Sequence, residues 1–183
     1  MRAARGPAPG TVVRLGLLCG VGLALYVLEA LAPRPLPWMK LGLSNVAVLL
    51  GLILYGPAAG LAVAVTKVGL GGLLSGTLGG PATVIGGGAT VASLAAMSVP
   101  RRFWPGLLSP VGLSVVGAVV HQAGQLALAQ LYVAHAALAS LLPLFVVTGL
   151  ASGVLTGFIA LWALRRLADM GALGEESEPA PNA

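Results

Sequence analysis

A lysine lies near the middle of an apolar segment of this chain. Lys67 is part of the stretch 56–74, which otherwise has the composition of a membrane-spanning helix. A charge at the centre of a span costs about 2.5 to 3.5 kcal/mol on insertion scales, and a lysine stem is too short to bring it fully to an interface. Lys67 therefore predicts a polar cavity inside a helical membrane protein, where its ammonium could bind an anionic or carbonyl-bearing ligand.

A second set of polar residues follows one face of a later apolar segment. His121 and Gln125 are one helical turn apart, and Ser114 precedes His121 by two turns. A polar stripe on an apolar helix is expected to point into the bundle. Both interhelical hydrogen bonding and ligand binding fit this stripe. A histidine without neighbouring Cys, His or carboxylate ligands does not predict a metal site.

Two further polar groups lie near these segments. Asn45 comes about one turn into the second apolar segment, where its amide must face a partner helix or a ligand. Ser75 and Thr77 belong to a glycine-rich stretch after Lys67, which predicts unwound or tightly packed backbone. Irregular backbone at membrane depth survives only where protein shields it or where it lines a wet cavity. Ser75 and Thr77 are therefore candidate ligand contacts.

The connection between the first two apolar segments is stiff and basic. Residues 33–40 contain three prolines, Trp38, Arg34 and Lys40. Such a segment can cover the outer mouth of a helical bundle as a lid. It can equally anchor the chain at the interface, with Trp38 in the aromatic belt and the two cations at head groups.

The first apolar segment carries an acidic residue and a row of small residues. Glu29 is expected at the outer membrane interface, with pairing to Lys67 or to a loop cation as alternatives. Gly16, Gly20 and Ala24 form a small-xxx-small ridge that suits close packing. The ridge is suited to packing within the bundle or against a partner subunit.

The composition is that of an integral membrane protein. Of the 183 residues, 57% are hydrophobic and 8% are charged, against about 25% charged in soluble domains. The apolar runs are continuous and rich in Leu, Ala, Gly and Val, which predicts helices rather than barrel strands. Cys19 is the only cysteine, so no internal disulfide is possible. The basic residues are scattered at segment ends, which argues against a nucleic-acid partner.

Six apolar segments predict an all-α bundle of six transmembrane helices. The second and fourth are short for a full span of about 20 residues. We expect a disordered N-terminus over residues 1–12, a membrane domain over 13–167 and a disordered acidic tail over 168–183. The segments are Val13–Leu31, Leu41–Tyr55, Pro57–Leu74, Thr83–Val99, Leu107–Val133 and Leu138–Leu164.

The distribution of Lys and Arg predicts the orientation in the membrane. With six spans and the N-terminus inside, seven arginines fall on inner segments, whereas Arg34 and Lys40 fall on outer ones. The positive-inside rule then places both termini in the cytoplasm. A cleavable signal peptide ending near Ala32 is the competing interpretation. The length of the apolar stretch, Glu29 within it and Pro33 directly after it argue against cleavage.

Four short motifs occur in order along the chain: Pro33-x-Pro-x-Pro, Lys40-x-Gly42-x-x-Asn45, Lys67 with Ser75-Gly76-Thr77, and His121-Gln122-Ala123-Gly124-Gln125. This set resembles the Gx transporter family, which is also catalogued as heptaprenyl diphosphate synthase component I. The resemblance extends from about Arg14 to Arg166. That family is in turn similar to the substrate-binding S components of energy-coupling factor (ECF) vitamin transporters.

The resemblance implies a six-helix bundle with an outward-facing pocket and a lid from the first loop. It also implies a non-enzymatic subunit that captures a small-molecule substrate, has no cofactor or metal, and works with a membrane coupling protein and ATPases in the cytoplasmic membrane. The residues it places near the pocket are Lys40, Asn45, Lys67, Ser75, Thr77, His121 and Gln125.

The catalogued name conflicts with the chemistry of a prenyl synthase. Such enzymes hold Mg²⁺ on paired aspartate-rich motifs, since the departing diphosphate needs carboxylate-bound cations. The only aspartate here is Asp169. The alternative function is therefore a non-catalytic membrane subunit associated with polyprenyl diphosphate or quinone biosynthesis. A hydrolase is poorly supported, because no carboxylate is placed to orient His121.

Overall fold

The computed structural model describes residues 9–31 and 42–171, and over these ranges the chain is helical. Lys40 and the lid expected at 33–40 lie outside the described residues, as do residues 1–8 and 172–183. A short 3₁₀ helix, Ala136–Leu141, precedes the last α-helix. The α-helices are α1 (Pro9–Leu31), α2 (Asn45–Tyr55), α3 (Pro57–Leu74), α4 (Pro81–Phe103), α5 (Pro110–Val133) and α6 (Leu142–Asp169).

Proline marks the start of four of these helices. An N–H group in the first turn of a helix has no intrahelical acceptor, so a proline there removes no hydrogen bond. The prolines in first turns include Pro57, Pro81, Pro110 and Pro143. Ser109 also caps α5, because its hydroxyl accepts from the Gly112 N–H at 3.1 Å.

Successive helices run in opposite directions. On α4 and α5, Gly88 faces Leu128 while Gly117 faces Met97, so the two helices are antiparallel.

One apolar cluster lies towards one end of the bundle. The residues that pack against it include Leu15 of α1, Ile53 of α2, Leu108 before α5 and Leu164 of α6. That end of the bundle, called the basic end here, carries Arg14, Arg101, Arg102, Arg165 and Arg166. The end where α1 finishes and α2 begins is the opposite end.

Helix α2 lies at the centre of the bundle. Its residues 46–52 are all buried, which is the pattern of a helix that other helices surround. With 11 residues it is about 16 Å long, roughly half the hydrocarbon thickness. The other five α-helices are long and apolar enough to cross a membrane. The chain is thus a multi-pass helical membrane protein.

The helix ends differ from the predicted segments at several places, and the difference that matters most is in α4. The fourth segment is not short, because α4 continues through Pro100 to Phe103 and has 23 residues. Pro100 falls in the last turn, and its carbonyl accepts from the Trp104 N–H at 2.9 Å. The third segment behaves as predicted, since α3 ends at Leu74 and the glycine-rich stretch continues as turns.

A row of glycines joins α6 to α5. An added Cβ at Gly149, Gly153 or Gly157 would lie 2.7–3.0 Å from a backbone Cα of α5. Such contacts are possible only without a side chain, and they allow the backbones to approach closely in lipid, where packing drives helix association. The ridge on α1 is different: Gly16, Gly20 and Ala24 are exposed, and an added Cβ at Gly16 or Gly20 would meet nothing within 4 Å.

We expect Gly153→Ala to destabilise the protein. The new methyl would lie 2.7 Å from the Cα of Val115, and such overpacking costs about 1–3 kcal/mol. Gly16→Ala is the matched control, because it adds the same group in open space on α1. Thermal unfolding in detergent should give a midpoint lower than wild type for Gly153→Ala and an unchanged or higher midpoint for Gly16→Ala. Equal midpoints would contradict the proposed close packing.

Candidate functional site

The carboxylate of Glu29, near the end of α1, binds the N-terminus of α2. The Leu43 N–H donates to Oε1 at 2.6 Å, and the Ser44 N–H and hydroxyl donate to Oε2 at 3.3 and 2.9 Å. A helix N-terminus has N–H groups without intrahelical partners and a favourable potential for an anion. Glu29 is only 5% exposed. The prediction of a position at the outer interface did not include this partner, because the sequence does not reveal which distant groups the carboxylate meets.

The ammonium of Lys67 reaches the same helix end from α3. It donates to Asn45 Oδ1 and, at 3.5 Å, to the hydroxyl of Ser44. Lys67 is 2% exposed. The Ser44 hydroxyl therefore accepts from the cation and donates to the carboxylate of Glu29. This arrangement joins a buried positive and a buried negative charge through one side chain.

A small cavity lies beside this charged group. Its volume is about 20 Å³, and roughly 10–15 Å³ accommodates one water molecule. This cavity is called the Lys67 cavity here. Its lining residues belong to each of the helices α1, α2, α3, α4 and α5 and to the segment just before α2. It is lined by Tyr26, Glu29, Gly42, Ser44, Asn45, Lys67, Gly86, Thr90, His121 and Gln125.

A second cavity of about 20 Å³ lies next to the first. The two share Gly42, Asn45 and His121 as lining residues. The second, called the Gln122 cavity, extends towards α6, where the hydroxyls of Ser114 and Thr156 are 2.8 Å apart. Its further lining residues are Leu49, Ser93, Met97, Gly117, Ala118, Gln122 and Ser152.

Two glutamines of α5 are lining residues of these cavities. Gln125 lines the Lys67 cavity and Gln122 lines the other. Both side chains are at least 97% buried, and neither Oε1 has a hydrogen-bond partner among the described residues. An unsatisfied buried acceptor costs about 1–3 kcal/mol. A water or a ligand that donates an N–H or O–H would remove this cost.

The predicted site residues divide into two groups. Asn45, Lys67, His121 and Gln125 converge at the Lys67 cavity, and the burial of Ser114, His121 and Gln125 confirms that the α5 stripe faces inward. For Ser114, interhelical hydrogen bonding with Thr156 is confirmed.

Ser75 and Thr77 line neither cavity. They follow the end of α3, where the Thr83 hydroxyl donates to the Thr77 carbonyl oxygen at 2.6 Å. Their role as ligand contacts stays a prediction, and Lys40 lies outside the described residues.

Three residues at the two cavities were not predicted from the sequence. Ser44 directly precedes Asn45, but nothing local indicates that it joins Glu29 to Lys67. Thr90 lies within a run of small residues on α4. Gln122 is adjacent to the predicted stripe on α5, and its position three residues before Gln125 places both amides on neighbouring parts of one face.

The sequence model of the family described as heptaprenyl diphosphate synthase component I matches residues 18–162, which is well over half of the chain. The match covers the second half of α1, both cavities and most of α6. No curated protein and no solved structure gives a significant match to this chain.

Replacing Glu29 with Gln should destabilise the bundle. The amide keeps the shape but removes the charge that two N–H groups and the Ser44 hydroxyl now bind, and hydrogen bonds to charged groups contribute about 1.5–3 kcal/mol each. Asp169→Asn is the control, because it neutralises an exposed acid at the end of α6. In detergent unfolding, Glu29→Gln should lower the midpoint and Asp169→Asn should not. A wild-type midpoint for Glu29→Gln would show that the carboxylate charge does not hold α2 in place.

Proposed function

The chain belongs to the heptaprenyl diphosphate synthase component I family, and we propose that it captures a small polar solute for an importer. In this role it resembles the S component of an ECF transporter and has no catalytic activity of its own. The observation that carries the proposal is the convergence of buried polar side chains from α1, α2, α3 and α5 on the Lys67 cavity.

The polar groups at the cavities favour a ligand with two kinds of hydrogen-bonding group. Lys67 supplies a positive charge and N–H donors, which suit a carboxylate, phosphate or carbonyl oxygen. The amide oxygens of Gln122 and Gln125 are acceptors without described partners, which suit N–H or O–H groups. A compact solute that carries both kinds of group would satisfy all three side chains at once.

The cavities must enlarge to take up such a solute. Each has a volume of about 20 Å³, whereas small-molecule pockets occupy about 300–1,000 Å³. The shared wall is formed by Gly42, Asn45 and His121. Gly42 is the first described residue after the segment 32–41, whose prolines predict a lid. We place the opening at this wall, where a displacement of the segment before α2 would join the two cavities.

The proposed setting is the cytoplasmic membrane, with both termini in the cytoplasm. The collection of Arg14, Arg101, Arg102, Arg165 and Arg166 at one end of the bundle supports this orientation under the positive-inside rule. The cavities then lie towards the outer half of the membrane, because Glu29 and Ser44 belong to the opposite end. This arrangement suits capture of a solute from outside.

A partner must supply the energy for import, since the sequence contains no nucleotide-binding motif. A membrane coupling protein with ATPases is the proposed partner. The exposed ridge of Gly16, Gly20 and Ala24 on α1 supports this proposal, because small side chains let a foreign helix approach closely in lipid.

The second candidate function is that of a non-catalytic membrane subunit in polyprenyl diphosphate biosynthesis. Its support is the description of the family. A prenyl chain needs a long groove open to lipid, whereas the Lys67 and Gln122 cavities are small and lie between helices. Their small size and the buried charged and amide side chains of the Lys67 cavity support a compact solute.

Substitution of Lys67 or Gln125 by Met should strongly reduce ligand retention. The test extracts small molecules from protein purified in mild detergent and identifies them by mass spectrometry. Hydrogen bonds from the charged Lys67 contribute about 1.5–3 kcal/mol, and loss of the neutral Gln125 acceptor leaves a donor of the ligand unsatisfied at a cost of about 1–3 kcal/mol. Retention of the bound compound should therefore fall about 10-fold or more. Gln130→Met is the matched control, since this glutamine of α5 lines neither cavity.

Unfolding midpoints of the same samples separate binding from folding. The proposal requires that Gln125→Met lose the compound while its midpoint without ligand stays near that of wild type. A compound retained equally by wild type, Lys67→Met and Gln125→Met would place the ligand elsewhere. Lys67→Met protein that unfolds without having lost a ligand would instead identify Lys67 as a structural partner of Ser44 and Asn45.

Replacing Gly20 with Leu should separate the two candidate functions. In an importer, wild-type protein should co-purify with an ATPase-bearing complex, and the leucine should prevent this association while leaving solute retention intact. Val21→Leu is the control, because it enlarges an exposed side chain beside the ridge. Wild-type protein that co-purifies with a soluble prenyl synthase and no ATPase would establish the second candidate instead.

A further inference from the structure

The basic end of the bundle contains a cavity that is separate from the two central ones. Its volume is about 230 Å³, more than ten times that of either central cavity. It lies where α4 ends and α5 begins. Its lining residues are Pro100, Arg101, Trp104, Pro105, Gly106, Leu108 and Leu113.

One wall of this cavity is a tight turn. The Leu107 N–H donates to the Trp104 carbonyl oxygen at 3.1 Å, and Gly106 has φ of 90°. Proline at the second position and a glycine of positive φ at the third are the features of a type II turn. Pro105 and Gly106 therefore give the cavity a wall of restricted conformation.

Arg101 supplies the positive charge of the cavity. Its Nη2 donates to the carbonyl oxygen of Ile53 at 2.5 Å, which positions the guanidinium between α4 and the end of α2. This bond uses one of five N–H donors. The planar fork of arginine matches the geometry of phosphate oxygens. Arg102 is adjacent in sequence but exposed, and it does not line the cavity.

The surroundings of the cavity are apolar and exposed. Phe103, Trp104 and Leu107 present large side chains outward at 59–67% exposure. They lie at the end of α4 and just beyond it, where a membrane–water interface is expected. Tryptophan is typical of that interface, and basic pockets between helix ends on the cytoplasmic side are suited to anionic head groups.

From this combination we propose that the cavity between Arg101 and the Trp104–Leu107 turn binds a phosphate group, that of an anionic phospholipid whose acyl chains contact Phe103, Trp104 and Leu107. The apolar neighbours distinguish a lipid from a free phosphate ion, which would gain nothing from them. The site is independent of the solute captured at the Lys67 cavity.

The experiment uses the fluorescence of Trp104 in the full-length chain. Trp38→Phe and Trp162→Phe leave Trp104 as the only tryptophan. The protein is reconstituted in phosphatidylcholine vesicles with increasing fractions of brominated phosphatidylglycerol, and quenching gives the binding constant of the anionic lipid relative to phosphatidylcholine. We expect a ratio of about five, the preference that one interfacial arginine confers.

Matched arginine variants test the assignment. Arg101→Gln should bring the ratio to about one, whereas Arg102→Gln removes the same charge one residue away and should leave most of the preference. Arg101→Lys keeps the charge without the planar fork, and it is the test variant if Arg101→Gln does not fold. Its ratio should lie between those of wild type and Arg101→Gln. Equal ratios for wild type, Arg101→Lys and Arg101→Gln, or an equal loss in the Arg101 and Arg102 variants, would overturn the proposal.

Two further arms identify the source of the phosphate group. Inorganic phosphate added to the vesicles should not change the ratio, and a ratio abolished by phosphate would assign the site to a soluble phosphate. Glu175, Glu176 and Glu178 follow α6 and are the competing anions of this chain. Their replacement by Gln should leave the ratio near five. A preference that emerges only after this replacement would show that the acidic tail occupies the cavity, against the proposal.

Discussion

The burial of two opposite charges around the start of α2 is the interaction on which the bundle depends. Glu29 and Lys67 lie in a low-dielectric interior, where an isolated charge is strongly unfavourable. Each is compensated by groups at or just before the start of α2: the carboxylate by the N–H groups of 43 and 44, and the ammonium by Asn45. The Ser44 hydroxyl bonds to both charges, so its removal would take one hydrogen bond from each. The three helices α1, α2 and α3 are therefore fixed relative to one another at this point.

The same interaction shapes the proposed ligand site. Helix α2 is short and fully surrounded, so its N-terminus ends inside the bundle rather than at the lipid surface. The polar groups that hold it there also form the wall of the Lys67 cavity. A solute that competes for Lys67 would alter the bonds that position α2. Binding and the arrangement of the segment before α2 are in this way physically connected.

Rows of small residues have different surroundings in two helices. On α6, Gly149, Gly153 and Gly157 contact the backbone of α5 and bring the two longest helices together. On α1, Gly16 and Gly20 face away from the bundle. Both rows have the same spacing in the sequence. Only the position of each helix relative to its neighbours decides which row is used internally and which remains available to a partner.

The sequence by itself determined the properties that depend on composition and local periodicity. The low charge content established a membrane protein, prolines marked the starts of helices, and the polar stripe of α5 faces inward as predicted, because an apolar helix has only one favourable direction for polar side chains in lipid. The motifs also placed the chain in its family, and four of the seven predicted site residues converge.

Tertiary structure decided the properties that require a partner distant in sequence. The bonds of Glu29 to residues 43 and 44, and the position of Ser44 between two charges, depend on neighbours that local spacing does not specify. The pairing of Arg101 with Ile53 spans 48 positions. Hydrogen bonds between helices form only once packing has brought the groups within reach. The sequence of a single segment therefore does not show which groups will pair.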